Sequence, residues 1–143
     1  MDAFRQAKLS GVLSFEPVEI VKAVGRQAGP RLDQIPKYSL MDVCFGRGTL
    51  DEMRSHLRRT EPIECAECRR SSLDRSYGFK IEPGTWPGED IFHLRGFQSD
   101  LIVSERFAEF VKNHAITNAK LIPTEQYWWD PYRKDPPTPT VLA

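Results

Sequence analysis

The pair Cys65-Ala66-Glu67-Cys68 is the part of the sequence whose residue types and spacing are best suited to chemistry. Two thiolates at this spacing can bind one metal ion, because the turn between them points both sulfurs inward. A tetrahedral structural zinc site needs four ligands, so the pair supplies half of one. Cys44 and His56 could complete the set, although no standard spacing requires them. Two alternatives stay open, zinc bound at Cys65 and Cys68 or a turn carrying two free thiols, and the second is favoured.

Thiol catalysis fits the same pair poorly. A thioredoxin-like CxxC follows a strand and opens a helix, which lowers the pKa of the first thiol. Here Pro62 precedes the pair, and Arg69-Arg70-Ser71-Ser72 follows it without an apolar helical face. No serine lies in a nucleophile elbow, and Gly46-Arg47-Gly48 is too short for a phosphate-binding loop. We therefore predict no catalytic residues and no enzymatic activity.

The composition limits the class of protein. The 143 residues suit one compact domain, and a hydrophobic content of 40% is enough for a core. Twenty basic and twenty acidic side chains cancel, so the basic excess typical of nucleic-acid-binding proteins is missing. No apolar run is long enough to span a membrane, and the N-terminus lacks a signal-peptide core. We expect a cytoplasmic protein that binds neither nucleic acid, nor a membrane, nor a small-molecule substrate.

The apolar pattern predicts an α+β fold, in which a small mixed or antiparallel sheet carries a few short helices. Helices are expected over 2–8, 50–59 and 104–115, the last with an N-cap at Ser104. Strands are expected over 12–24, with a break at Pro17, and over 38–45, 91–97, 100–103 and 119–124. The glycines at 46–48 are expected to form a turn, and 25–36 a loop.

The predicted domain covers residues 1–129, and residues 130–143 form a proline-rich tail with little to bury. Residues 9–12 and 116–119 resemble each other, and each follows a predicted helix and precedes a predicted strand. This similarity is consistent with two helix–turn–strand units on one sheet, and chance similarity is the alternative.

Three motifs in the C-terminal half carry a resemblance to a known family. Pro62-x-x-Cys65-x-x-Cys68-x-Arg70 is followed by Asp90-Ile91-Phe92-His93-Leu94-Arg95-Gly96-Phe97 and then by Leu101-Ile102-Val103-Ser104-Glu105-Arg106-Phe107. This order resembles the double-CXXCG motif family, in which a second CxxCG precedes a DLFRLGNF-like strand and a VxTERF-like helix start. The resemblance spans about residues 62 to 123 and weakens toward Leu9. The first CxxCG is missing here, and Arg69 stands where the family has glycine.

The resemblance implies a function. The family includes immunity proteins that accompany contact-dependent or secretion-delivered bacterial toxins, so it implies neutralisation of a cognate toxin, with a nuclease effector as the leading expectation. The two departures remove support for a jointly held zinc ion. The alternative is a zinc-stabilised regulatory or nucleic-acid-binding module, because arginines cluster around the CxxC. They are Arg54, Arg58, Arg59, Arg69, Arg70 and Arg75, and acidic residues interleave with them.

The loop around Trp86 is the predicted partner-binding surface. Glu82, Glu89 and Asp90 could present an acidic patch to the basic cleft of a nuclease, with Trp86 as an aromatic anchor. The alternative is that Trp86 folds back onto the sheet. The next candidate surface is Tyr127-Trp128-Trp129, although adjacent aromatic residues near a chain end more often seal the edge of a core.

Overall fold

The computed structural model describes residues 2–22 and 35–133. Over these residues the chain forms two α-helices and eight strands, which confirms the predicted α+β class. The elements are α1 (Asp2–Gln6), β1 (Val12–Val18), β2 (Tyr38–Val43), β3 (Phe45–Thr49), β4 (Leu57–Arg59), β5 (Leu73–Tyr77), β6 (Ile91–Arg95), β7 (Phe97–Val103), α2 (Glu105–Asn113) and β8 (Trp128–Trp129). Most of the predicted 25–36 loop and of the predicted tail lies outside the described residues.

The strands form three small sheets. β1 and β2 make an antiparallel ribbon in which Pro17 pairs with Ser39, as expected for an edge strand that tolerates proline. The mixed sheet has the order β3-β6-β7, with β3 parallel and β7 antiparallel to β6. The antiparallel sheet has the order β4-β5-β8.

The hydrophobic core is built largely from β6 and β7 of the mixed sheet, and Leu57 and Leu73 of the antiparallel sheet pack against it. Its buried side chains are Leu50, Phe79, Phe92, Leu94, Phe97 and Ile102. The rings of Phe79 and Phe97 stack at a centroid distance of 4.7 Å, and Tyr127 meets both rings edge-on. Aromatic packing therefore joins β7 to Tyr127, the residue that precedes β8.

The glycines at 46–48 lie within β3, so the predicted turn there is wrong. A Cβ added to Gly46 would lie 2.5 Å from Cδ2 of Phe92, and one added to Gly48 would lie 3.0 Å from Cε2 of the same ring. Glycine in a strand often marks such a close approach. The two glycines let β3 pass directly over the buried Phe92 ring.

The helix predicted over 50–59 is also wrong. Asp51 instead closes a turn, because its carboxylate accepts the amides of Met53 at 3.1 Å and Arg54 at 3.0 Å. The chain then enters β4, which pairs with β5. Leu50 and Leu57 matched helical spacing, but Leu50 is buried in the core and Leu57 packs against that core from β4.

Helix α2 confirms the helix predicted at 104–115. The Ser104 hydroxyl caps it by accepting the amide of Phe107 at 3.1 Å. Val111 is buried, whereas Phe107 and Phe110 are half-buried and pack against Phe4 of α1.

The strand predicted at 119–124 is not formed, because these residues are irregular up to a 3-10 turn at Thr124–Gln126. The structure therefore contains the first predicted helix–turn–strand unit and not the second. Asp130, the first residue of the predicted tail, is buried, and its carboxylate accepts the hydroxyl of Tyr77.

Candidate functional site

The Cys65–Cys68 segment forms a tight turn with an amide directed at a sulfur. The amide of Cys68 donates to Sγ of Cys65 at 3.4 Å, and the amide of Arg69 donates to the carbonyl of Cys65 at 2.9 Å. Arg69 has a φ of 52°, in the left-handed region that favours glycine. Arg69 therefore closes the turn in a backbone conformation that glycine adopts more easily.

The cysteine environments differ. Hydrogen bonds from the Cys68 amide and thiol, helped by the amides of Glu67 and Arg69, lower the pKa of the exposed Cys65 thiol. Burial, together with the charge of Glu89, raises the pKa of the Cys44 thiol. Cys65 is therefore the more reactive of these two thiols toward an electrophile in solution.

The structure does not bring Cys44 and His56 to the Cys65–Cys68 turn. Cys44 directly precedes β3, and its thiol is 3.9 Å from the carbonyl of Ile91. Over residues 2–22 and 35–133, no three Cys, His, Asp or Glu side chains are close enough together to hold one ion. The described residues thus supply two of the four ligands that a structural zinc site needs.

Most arginines near the CxxC are engaged with acids of the same chain. Arg54 pairs with Asp51 at 3.6 Å, and Arg69 pairs with Glu82 at 3.5 Å. The other two ion pairs are Arg58 with Asp74 and Arg59 with Glu52. Four of the six clustered arginines are thereby neutralised locally, which weakens the alternative of a phosphate-binding patch.

The loop from Glu82 to Asp90, predicted as the partner-binding surface, covers the outer edge of β3. The amide of Glu82 donates to the carbonyl of Thr49 at 2.8 Å, and the hydroxyl of Thr85 accepts the amide of Thr49 at 3.0 Å. The carboxylate of Glu89 accepts the amide of Arg47 at 3.2 Å. The loop therefore satisfies the backbone of a strand edge that would otherwise be open.

Trp86 lies back on this part of the fold. Its ring is nearly parallel to Phe92 at a centroid distance of 6.2 Å, and its indole N–H donates to the carbonyl of Glu89 at 3.1 Å. The side chain keeps 42% of its surface exposed. The structure thus agrees with the alternative that Trp86 packs onto the sheet, although the outer face of the ring stays accessible.

Asp90 is not an exposed acid, contrary to the prediction. It is 4% exposed and accepts hydrogen bonds from the amide and hydroxyl of Ser10, the hydroxyl of Ser104 and the guanidinium of Arg106. Burial raises the pKa of the Asp90 carboxyl, but the Ser10, Ser104 and Arg106 interactions together hold it below its usual value. Asp90 joins the N-terminal segment, β6 and α2, which is a structural role.

A groove of about 1190 Å³ lies on another part of the surface, between the CxxC turn and β8. The residues that line it include Glu61, Glu64 and Cys65, together with residues 98–100 and Trp129. Because Leu94 pairs with Phe97 while His93 pairs with Leu101, residues 98–100 bulge out of the sheet. Bulges of this kind often redirect side chains near functional sites.

Hydrogen bonds fix the bulge in place. The side-chain amide of Gln98 donates to the carbonyl of Cys68 at 2.5 Å, and the Tyr127 hydroxyl donates to the carboxylate of Asp100 at 2.8 Å. Burial, helped by the bond to Asp100, raises the pKa of Tyr127. The groove walls are therefore tied to both the CxxC turn and the segment that leads into β8.

Two large aromatic side chains are accessible in the groove. Trp129 is 42% exposed and Phe45 is 46% exposed, and carboxylates of Glu61, Glu64 and Asp100 lie along the same groove. The sequence identified Trp129 only as part of the next candidate surface and missed the other four. Their meeting depends on β8 pairing with β5, a contact between residues about fifty positions apart, which local patterns do not reveal.

Comparison with protein-family models, with curated proteins and with solved structures found no match to this chain. None of the described helices is both long and apolar enough to cross a membrane.

Proposed function

We propose that this chain is an immunity protein that neutralises a cognate bacterial toxin by direct stoichiometric binding. The observation that supports this proposal is the open groove, in which Trp129 and Phe45 remain accessible. Aromatic side chains exposed in a surface depression are typical of protein-binding sites, where Trp and Tyr contribute strongly to affinity. The resemblance of residues 62–123 to the double-CXXCG motif family supplies the class of partner.

The proposed partner is a nuclease effector, and the proposed compartment is the cytoplasm, where such a toxin would act. Inhibition by occupation of a surface needs no catalytic group, so we propose that the chain is not an enzyme. Such an inhibitor must bind before its toxin acts, which favours fast association steered by complementary charge.

Co-expression with the toxin encoded by a neighbouring gene tests the proposal. We expect growth to be rescued, and we expect the two proteins to elute together with equal stoichiometry in size-exclusion chromatography. Rescue without a detectable complex would contradict binding as the mechanism and would indicate an enzyme that modifies the toxin or repairs its damage.

The second candidate is a zinc-stabilised regulatory module, and the geometry of the Cys65–Cys68 turn favours it. An amide that donates to a cysteine sulfur, as Cys68 does here, stabilises the thiolate form that binds metals. The described residues provide two thiol ligands, so a complete site would need ligands from elsewhere. We rank this function below toxin binding for that reason.

A further inference from the structure

We propose that the groove between the CxxC turn and Trp129 binds a segment of the partner protein that carries lysine or arginine side chains. The inference rests on the proposed function and adds the binding surface and the chemistry of the contact. Three features of the groove support it, namely its charge, its aromatic side chains and its fixed walls.

The charge of the groove is negative. Three carboxylates line it, those of Glu61, Glu64 and Asp100, against one guanidinium, that of Arg70. Elsewhere in the described residues, ion pairs engage six acids: Asp51, Glu52, Glu67, Asp74, Glu82 and Asp90. None of these pairs includes a groove carboxylate. The groove therefore attracts a cation more strongly than surfaces where the acids already have partners.

The aromatic side chains suit the same kind of ligand. A guanidinium or ammonium group is attracted to the face of an aromatic ring, most strongly to tryptophan. Phe45 already shows this behaviour within the chain, since the guanidinium of Arg95 lies 5.7 Å from its ring centroid. Trp129 offers a larger ring beside carboxylates, which combines both interactions that lysine and arginine make.

The walls of the groove are fixed before binding. Asp100 is held by the Tyr127 hydroxyl, and Gln98 is held by the carbonyl of Cys68. Preorganised side chains lose little conformational freedom on association, so more of the interaction energy contributes to affinity. A basic segment from a phosphate-binding cleft would meet these groups with complementary charge.

Alkylation of Cys65 by iodoacetamide tests the location of the interface. Cys65 is exposed and lines the groove, whereas Cys44 is half-buried and lies outside it, so Cys44 serves as an internal control. We expect the complex with a catalytically inactive form of the neighbouring toxin to lower the Cys65 rate at least about tenfold, because access limits thiol reactivity. The Cys44 rate should stay unchanged, as read by mass spectrometry.

Charge reversal tests the chemistry of the contact. Glu64→Lys places a positive charge in the groove, and Glu109→Lys makes the same change in net charge at an exposed position of α2. We expect Glu64→Lys to slow association about tenfold at low salt, as changes in steering charges do, and Glu109→Lys to leave it near the parent rate.

The outcomes separate the two proposals. If the complex elutes intact while Cys65 is alkylated as fast as in the unbound protein, the groove is not the interface, and the proposed inhibitor function is unaffected. Equal effects of Glu64→Lys and Glu109→Lys on the association rate would contradict the proposal that the bound segment is basic. Protection of Cys65 by single-stranded DNA, or by self-association without toxin, would assign the groove to another ligand and contradict the inference. Failure of any toxin complex to form would instead contradict the proposed function.

Discussion

Trp86 and Trp129 are each 42% exposed, yet the surfaces around them differ. Near Trp86, Glu82 pairs with Arg69 and Asp90 is buried among its own donors, while Glu89 makes no ion pair in the described residues but accepts the backbone amide of Arg47. Near Trp129, Glu61 and Glu64 make none of the ion pairs seen among the described residues, and Glu61 accepts the hydroxyl of Ser72. Exposure alone therefore does not separate a structural surface from a binding surface. We propose that the ion pairs of the neighbouring acids distinguish the two surfaces, since Glu82 and Asp90 pair with arginines and Glu61 and Glu64 do not.

The largest expected effect is a loss of stability on changing Asp90, whose contacts hold the N-terminal segment, β6 and α2 together. Asp90→Ala leaves Ser10, Ser104 and Arg106 without their shared acceptor, so we expect it to lower the free energy of unfolding by about 3 kcal/mol. Denaturant titration measures this loss. Glu109→Ala, at an exposed position, should change stability by less than about 0.5 kcal/mol. A stable Asp90→Ala variant with weakened toxin binding would instead support the loop around Trp86 as the partner-binding surface.

Phe107→Ala should have the next largest effect. Phe107 anchors α2, and the N-terminal end of α2 supplies Ser104 and Arg106, which donate hydrogen bonds to Asp90. The Phe107 ring is half-buried against Phe4, so we expect a loss of about 2 kcal/mol, below the range for full burial. Thermal melting of the variant provides the measurement. An unchanged melting temperature would show that α1 and α2 do not pack as described.

The stability should also depend on acid pH through Asp90. Its folded pKa lies below the usual value, so its contribution is present above the unfolded pKa of about 3.9 and is lost as pH falls through the folded pKa. We expect the free energy of unfolding to fall below about pH 4, and to fall less steeply in Asp90→Asn. Parallel curves for the two proteins would contradict the assigned role of this carboxylate.

The smallest expected effect is on metal content. Because the described residues supply two thiol ligands at the turn, we expect protein purified without chelator to contain substoichiometric zinc. Elemental analysis decides the point. A full equivalent of zinc that disappears in the Cys65→Ser and Cys68→Ser variants would favour the zinc-stabilised module over the proposed inhibitor.

Local sequence patterns predicted the elements whose signals are local. Helix α2 follows from the Ser104 cap and its apolar spacing, and β6 from its run of apolar residues. The pattern at Leu50, Met53 and Leu57 misled, because strand pairing with β5 prevailed over helical spacing and left Met53 94% exposed. Propensity is a weak guide wherever long-range contacts decide the backbone.

The site was harder to predict than the fold. The burial of Asp90 depends on Ser10, which lies eighty residues away, so its charge and loop position alone suggested an exposed acid. The groove joins the CxxC turn, the bulge of β7 and β8, and the sequence holds no local signal for that meeting. The prediction of Trp129 as a further surface came from residue type alone.

Trp129→Ala and Trp86→Ala, compared for their affinity toward the toxin, test whether the groove is the binding surface, since the two residues match in type and exposure. We expect Trp129→Ala to weaken binding by about 2 kcal/mol or more, as for a hot spot, and Trp86→Ala to bind like the parent and lose only stability. Isothermal titration calorimetry against the inactive toxin, with both variants confirmed folded, gives the two constants. Loss of affinity in Trp86→Ala and parent-like binding by Trp129→Ala would contradict the account and return the interface to the 82–90 loop.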